Sequence, residues 1–284
     1  MLGDWLGEPA VLLGLVAAGA LYVGADGRVR RERGGRGFPR SRRWAFLGGL
    51  VAIFAALESP IDAAVATSFW VHMVQHLLLA MVAPPLLVFG APVALTLASL
   101  PTESRRPLVS VLHSGPARLV SSPVVAWALF FGVMWGSHFS GLYDASLRNA
   151  GVHAGEHLGY LAAGLLFWMP VVGRDAVPSR LSYPARILYL FLAMPAMAFL
   201  GLAIFSADHV LYPTYAAAEG AGAALADQRI AGAIMWTGGM FLIVPALAFV
   251  LFDWMRADEL EGRRVDALLV RERARAGAAR GSDA

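Results

Sequence analysis

The stretch WVHMVQHLLLAMVAPPLLVFGAP, residues 70–92, decides the fold. It holds no Asp, Glu, Lys or Arg, and it is long enough to cross a bilayer as a helix, which takes about 20 apolar residues. Yet it opens with His72 and His76, four residues apart. Two imidazoles on one face of a membrane helix need a reason, because polar groups in lipid are costly and turn toward a bundle interior or a cavity.

Outward from this stretch the chain repeats the pattern. Apolar runs at about 9–25, 44–59, 68–90, 123–141, 151–171, 184–206 and 228–252 predict seven transmembrane helices in one bundle. The fold class is therefore all-α and polytopic, with a transmembrane domain over 1–255 and a charged tail over 256–284. The run VALTLASL at 93–100 is too short to cross and reads as an interfacial extension of the third span. Of the 284 residues, 58% are hydrophobic and only 15% charged, which excludes a soluble two-domain protein. The opening MLGDWLGEPA has no basic residue, so the first run reads as a retained span rather than a signal peptide.

Arginine gives the orientation. The chain has no lysine, and its basic residues crowd into 26–43, 101–122, 172–186 and the tail, which together hold all the arginines except Arg148 and Arg229. Basic loops stay in the cytoplasm. The N-terminus is thus expected outside and the C-terminus inside, and the net charge of +3 is a topology signal with some attraction to anionic lipid rather than a mark of nucleic-acid binding. Pro84, Pro85, Pro195 and Pro245 fall inside spans, where they shape helices. The absence of cysteine removes disulfide frameworks, thiolate metal sites and catalytic thiols from consideration.

This orientation places six of the seven histidines at one membrane face. His72 and His76 open the third span, His138 closes the fourth, His153 and His157 open the fifth, and His209 follows the sixth. His113 lies in an inner loop and reads as an ordinary polar residue. Residues four apart on a helix lie about 40° apart in azimuth and about 6 Å apart along the axis, so each H-x-x-x-H pair can offer two nitrogens to one ion or clamp one between helices. Glu156, Asp208 and Asp227 share the layer and are expected to orient imidazole N–H groups. Glu58 and Asp62 sit at the outer end of the second span. Met73 follows His72, and Met134 lies one turn before His138. With imidazole, carboxylate and thioether as donors, the candidates are copper, zinc, iron and nickel, and thioether shifts the preference toward Cu(I). The metal-site set is His72, His76, His153, His157, His138, His209, Met73 and Met134.

The segments HMVQHLLLAMVAPPLLVFGAP (72–92), HAGEHLGYLAAGLLFWMPVVG (153–173) and DQRIAGAIMWTGG (227–239) resemble the multi-pass CtaG family of cytochrome c oxidase assembly factors. That is the bacterial kind associated with caa-type oxidases, distinct from the single-span periplasmic factor of the same name. The resemblance runs from the second span to the seventh. Its motif positions fall on His72, Gln75, His76, Pro85, Gly90 and Pro92, then His153, His157 and Pro170, then Asp227, Gln228, Gly232, Met235 and Trp236. It implies a protein of the bacterial plasma membrane, with oxidase subunits as partners and copper supplied on the outer side; a transient copper carrier needs no covalent chemistry, so a non-enzyme is expected.

Three other functions compete. A di-iron oxygenase would also use H-x-x-x-H boxes, but such enzymes use adjacent histidines on the cytosolic side, and this chain has no His-His pair. A b-type haem protein would need one facing histidine per helix, which leaves the four-residue spacing unexplained. A transporter would carry ionisable residues through the whole membrane, whereas the inner halves of these spans are nearly devoid of them, and only midplane methionines (Met194, Met197, Met240) could relay Cu(I).

Overall fold

The helix expected over 68–90 forms the centre of the bundle, and it is not regular. The computed structural model describes residues 8–35, 37–173 and 180–282, and every regular element among them is helical. Asp4, Arg36 and much of the expected loop 172–186 lie outside the described residues. The long helices are α1 (Pro9–Glu32), α2 (Arg40–Leu57), then after a short α3 (Pro60–Ala64) the central segment α4 (Phe69–Leu77) and α5 (Ala83–Phe89). A π-helical turn, Leu78–Val82, joins α4 to α5. Pro84 and Pro85 have no N–H, so the carbonyls of Ala80 and Met81 lose their helical donors and the turn before them widens. A Cβ on Gly164 would lie 2.6 Å from the Ala80 oxygen. Only glycine lets the neighbouring backbone approach that freed carbonyl.

The helix is then interrupted at Ala91. Gly90 is packed against Phe46, its carbonyl accepts the Tyr22 hydroxyl at 2.7 Å, and Ala91 takes the left-handed conformation (φ 51°). Pro92 opens α6 (Pro92–Ser99), which packs on α1 as the expected extension. Two surface helices follow, α7 (Thr102–Leu112) and α8 (Gly115–Val120), and then α9 (Pro123–Phe139). The short α10 (Leu142–Ser146) leads to α11 (Ala150–Val172), α12 (Tyr183–Phe205), the short α13 (Pro213–Glu219) and α14 (Ala221–Ser282). The last span and the charged tail form one uninterrupted helix, α14. It packs along α12 through Gly201 and Gly232, where any Cβ would meet backbone at 2.5 Å. Small residues at such crossings let membrane helices approach closely.

Five helical stretches among the described residues are long and apolar enough to cross a membrane: Pro9–Glu32, Arg40–Ala64, Phe69–Ser99, Tyr183–Phe205 and Ala221–Leu269. The apolar α9 is shorter, at 17 residues, and α11 carries His153, Glu156 and His157 in its first turns. The surface is inverted relative to a water-soluble protein. Leu13, Val124, Leu158, Phe199 and Phe241 are exposed, while Asp26, Glu58, His72, Gln75, His76 and Asp227 are buried. A bilayer imposes this pattern, since lipid solvates apolar side chains and polar ones must turn inward.

The stretch 26–43 is not one loop. α1 continues to Glu32 and α2 starts at Arg40, because the acid within the basic run compensates it. The buried Asp26 carboxylate accepts from Arg30 Nε at 3.1 Å and from Arg43 Nε at 2.9 Å, and Arg43 adds a second contact through its terminal nitrogen. Both arginines keep part of their side chains in solvent, as long basic chains do at the edge of a bilayer.

Candidate metal centre

Three helices converge on five imidazoles. α4 supplies His72 and His76, α9 supplies His138, and α11 supplies His153 and His157. The ring centroids of His72 and His76 are 4.3 Å apart and those of His153 and His157 are 4.1 Å apart. Across helices, His72 lies 5.1 Å from His153, and His76 lies 6.1 Å from His157 and 6.0 Å from His138. One ring nitrogen from each of His72, His153 and His157 falls within 4.8 Å of the others, as does one ligand atom from each of His72, His76 and Glu156.

The position of α4 is set from a distance. Its capping residue, Ser68, makes no side-chain cap. Instead the Asp227 carboxylate of α14 accepts from the backbone N–H of Phe69 at 2.7 Å and of Trp70 at 3.0 Å. A carboxylate satisfying these orphan donors at the positive end of a helix stabilises it by about 1 kcal/mol. Asp227 therefore orients the helix that carries His72 and His76, and not a ring, as its sequence position suggested. Next to it, Gln228 accepts from Leu211 N at 2.8 Å and donates to the His209 carbonyl at 3.0 Å. The motif Asp227-Gln228 thus fastens α14 to α4 and to the segment after α12.

Hydrogen bonds also decide which nitrogens carry protons. Gln75 donates from its amide nitrogen to Ala56 O (2.9 Å) and to Asp62 Oδ1 (2.8 Å). Both partners only accept, so the amide is fixed, and its oxygen, 3.0 Å from His157 Nε2, must receive a proton there. This leaves His157 Nδ1 with its lone pair. Tyr215 donates to Val65 O at 2.8 Å, so its oxygen accepts from His72 Nδ1 at 3.1 Å and frees His72 Nε2, which lies 3.3 Å from His153 Nε2. His138 Nδ1 donates to Met134 O at 2.7 Å, leaving its Nε2 as a lone pair 3.5 Å from Met73 Sδ.

His76 differs from all of these. It is 0% exposed, and neither of its ring nitrogens has a hydrogen-bond partner. The Glu156 oxygen, also without a partner, stands 4.0 Å from its Nε2, beyond bonding reach. Leaving a buried polar atom unsatisfied costs about 1–3 kcal/mol. Of the two fully buried imidazoles, His72 and His76, it is His76 that is left unsatisfied.

A roof of tyrosines covers the rings. Gly141 (φ 75°) turns the chain after α9, and Tyr143 of α10 stacks on His138, with centroids 5.4 Å apart. Its hydroxyl meets that of Tyr215 from α13 at 3.2 Å, and Tyr212 donates to His138 O at 3.3 Å. Burial raises all three phenols above their ordinary range, so each stays a neutral O–H. Tyr160 closes the side, 4.2 Å from the His76 ring and 2.5 Å from Ser137 Oγ.

Of the residues expected at the site, the structure brings together His72, His76, His138, His153, His157, Met73 and Glu156. Met134 is buried one turn below and reaches His138 through its carbonyl. His209 is not gathered in. Its side chain is 73% exposed and pairs with Asp208 at 2.9 Å, a contact that lowers the Asp208 pKa. Tyr143, Tyr160, Tyr212, Tyr215 and the bridging role of Gln75 were not expected. Tyr160 was within reach, because His153, Glu156, His157 and Tyr160 follow i, i+3, i+4, i+7 spacing along one helix face. The roof tyrosines come from loops and carry no such pattern.

The profile of the cytochrome c oxidase caa3 assembly factor family matches residues 20–257. The chain belongs to this family. It is also 32% identical over 262 residues to uncharacterized proteins of Mycobacterium bovis and Mycobacterium tuberculosis, and 31% identical over 271 residues to one of Mycobacterium leprae. These alignments cover 88–89% of the chain but only 40% of each relative's length. No solved structure matches the chain significantly. Membership agrees with the resemblance carried by the three histidine- and aspartate-bearing segments. Ten of the motif positions split in two on the structure. His72, Gln75, His76, His153, His157 and Asp227 build the site, while Pro85, Gly90, Pro92 and Gly232 shape the helices that present it.

Proposed function

We propose that the chain holds copper transiently, as Cu(I), among these imidazoles and supplies it to subunits of a haem-copper oxidase during assembly. The observation that carries this reading is His76. Both of its nitrogens are buried and unpartnered in a ring of imidazoles whose other nitrogens are mostly pinned with lone pairs left free. A cation there would take the His76 lone pair that the protein leaves unpaired. The 3.3 Å between His72 Nε2 and His153 Nε2 equals the edge of a tetrahedron of nitrogens at about 2.0 Å from a central ion, roughly 3.3 Å.

In this reading α9 and α11 also cross, giving seven spans, with the N-terminus outside, the C-terminus in the cytoplasm and the histidine layer at the outer face of the bacterial plasma membrane. The arginine distribution supports that orientation. Imidazole and thioether ligands exchange more readily than a closed thiolate cage, which suits a carrier, and no covalent step is required. The test is to load the purified protein anaerobically with Cu(I), desalt it, and measure copper by mass spectrometry beside a folded His72/His76/His153/His157→Ala variant. Copper retained by the wild type and lost by the variant supports the reading. A folded wild type that retains none overturns it.

A further inference from the structure

The five imidazoles divide along α4 into two groups of different chemistry. On one side are His72, His153 and His157. His153 is half-buried and, with His157, lines a cleft of about 350 Å³ that Glu8 and Asp62 also border. On the other side, toward α9, are His76, His138 and Met73, all buried. We propose that this inner trio is a second, separate site selective for a soft monovalent cation, and that the cleft-side imidazoles form an outer site that also accepts harder divalent ions. The proposal rests on the metal-binding reading above and adds to it a number of ions and an order.

The inner trio is defined by what holds it apart. His138 has spent its one ring proton on Met134 O, so the nitrogen facing Met73 is a bare lone pair. The Met73 thioether is likewise an acceptor. Two acceptors 3.5 Å apart gain nothing from each other beyond dispersion. Nitrogen and sulfur on one small ion, at bonds near 2.0 and 2.3 Å, would stand about 3.5 Å apart. The third wall is His76, edge-on to His138 at 85°, with neither ring nitrogen hydrogen-bonded, so that one of them offers a lone pair, and with a Glu156 oxygen 4.0 Å from its Nε2. Thioether with imidazole favours Cu(I) over Zn(II), and three imidazoles suit either. The 4.3 Å between the His72 and His76 rings lets an ion entering from the cleft exchange one imidazole for the next on the way inward.

The experiment loads the full-length protein in detergent separately with Ag(I), as a redox-inert stand-in for Cu(I), and with Zn(II), and counts ions per chain by mass spectrometry. X-ray absorption of the Cu(I) form reads the sulfur neighbour. The wild type is expected to hold two Ag(I) but one Zn(II), with a sulfur scatterer in the copper spectrum. Met73→Leu, which keeps the volume, should lose one Ag(I) and the sulfur scatterer while keeping its Zn(II), and the retained Zn(II) certifies the fold. His138→Ala should behave the same way, and His153→Ala with His157→Ala should lose the Zn(II). A wild type with one Ag(I) per chain and only light-atom neighbours would overturn the inner site and leave the outer reading standing. A wild type that binds neither ion would overturn both.

Discussion

Both ends of this bundle bury polar groups, and they treat them oppositely. At one end the Asp26 carboxylate is met by two guanidiniums of the same chain, Arg30 and Arg43. At the other, His76 and one oxygen of Glu156 are buried with no partner. Asp26 Oδ2 is answered within the chain and holds α1 to α2, although Asp26 Oδ1 is buried without a hydrogen-bond partner. A donor set left open carries a free-energy cost that only an incoming group can offset. A single unpartnered atom, such as Asp26 Oδ1 or the Tyr189 hydroxyl, carries no such reading; an imidazole unpartnered at both nitrogens inside a cluster of imidazoles reads as a binding site.

The largest effect expected from this contrast is at the saturated end. Removing one member of a buried ion pair costs about 3–5 kcal/mol, and the partial exposure of Arg30 and Arg43 puts Asp26→Ala near the lower figure, about 3 kcal/mol. Thermal unfolding in detergent should show that loss, while copper bound per folded chain stays as in the wild type. A parallel loss of copper would mean that the two ends are coupled and the contrast is false.

At the open end the sign reverses. His76→Leu replaces an unsatisfied imidazole with an apolar side chain of similar size and should raise the stability of the metal-free protein by about 1–3 kcal/mol. On the copper reading, Cu(I) should stabilise the wild type by binding the folded state alone, and the same change should shrink that stabilisation. A destabilised metal-free variant would show that His76 makes contacts that the structure does not contain.

Asp227→Ala tests the link between scaffold and site. It strips two N–H partners from α4 and should cost about 1 kcal/mol. Because α4 carries His72 and His76, Cu(I) affinity should fall with it. Asp227→Asn, which keeps an acceptor, should recover most of both. Unchanged affinity in the alanine variant would confine Asp227 to fold stability.

These residues also show where sequence reading works and where it stops. The helices, the two histidine pairs and the convergence of the third, fourth and fifth spans are legible, because hydropathy and four-residue spacing are local properties of one helix. The π-helical turn follows from Pro84 and Pro85, although its place against Gly164 does not. His209 was misleading. It shares the layer by position along the membrane normal, but nothing in the sequence gives its azimuth, and the structure turns it to solvent. Asp227 was given the wrong object to orient, since whether a carboxylate meets a ring or a helix N-terminus depends on packing between α14 and α4. The tyrosine roof was invisible for the same reason, as its members come from short elements whose docking is decided by the whole bundle. The 26–43 loop shrank because Asp26, one acid before a run of arginines, neutralises the charge that argued for a loop.

The smallest effect is the sharpest on the comparison. Tyr215→Phe removes one oxygen and keeps the ring against Phe69, 5.5 Å away. Val65 O loses its donor, and the His72 Nδ1 proton loses its acceptor. Stability should fall by only about 1 kcal/mol. Losing the hydrogen bond that fixes a ligand ring typically weakens metal affinity about 10–100-fold, and with His72 still held by the roof the low end, about tenfold, is expected, at unchanged stoichiometry. Tyr183→Phe is the matched control at the other end of the bundle, where the hydroxyl donates to Asp253 at 3.1 Å. It should cost a similar amount of stability and leave copper affinity untouched. The same single oxygen, deleted at two ends, then separates a hydrogen bond that holds helices from one that aims a ligand, and equal copper affinities in the two variants would erase that distinction.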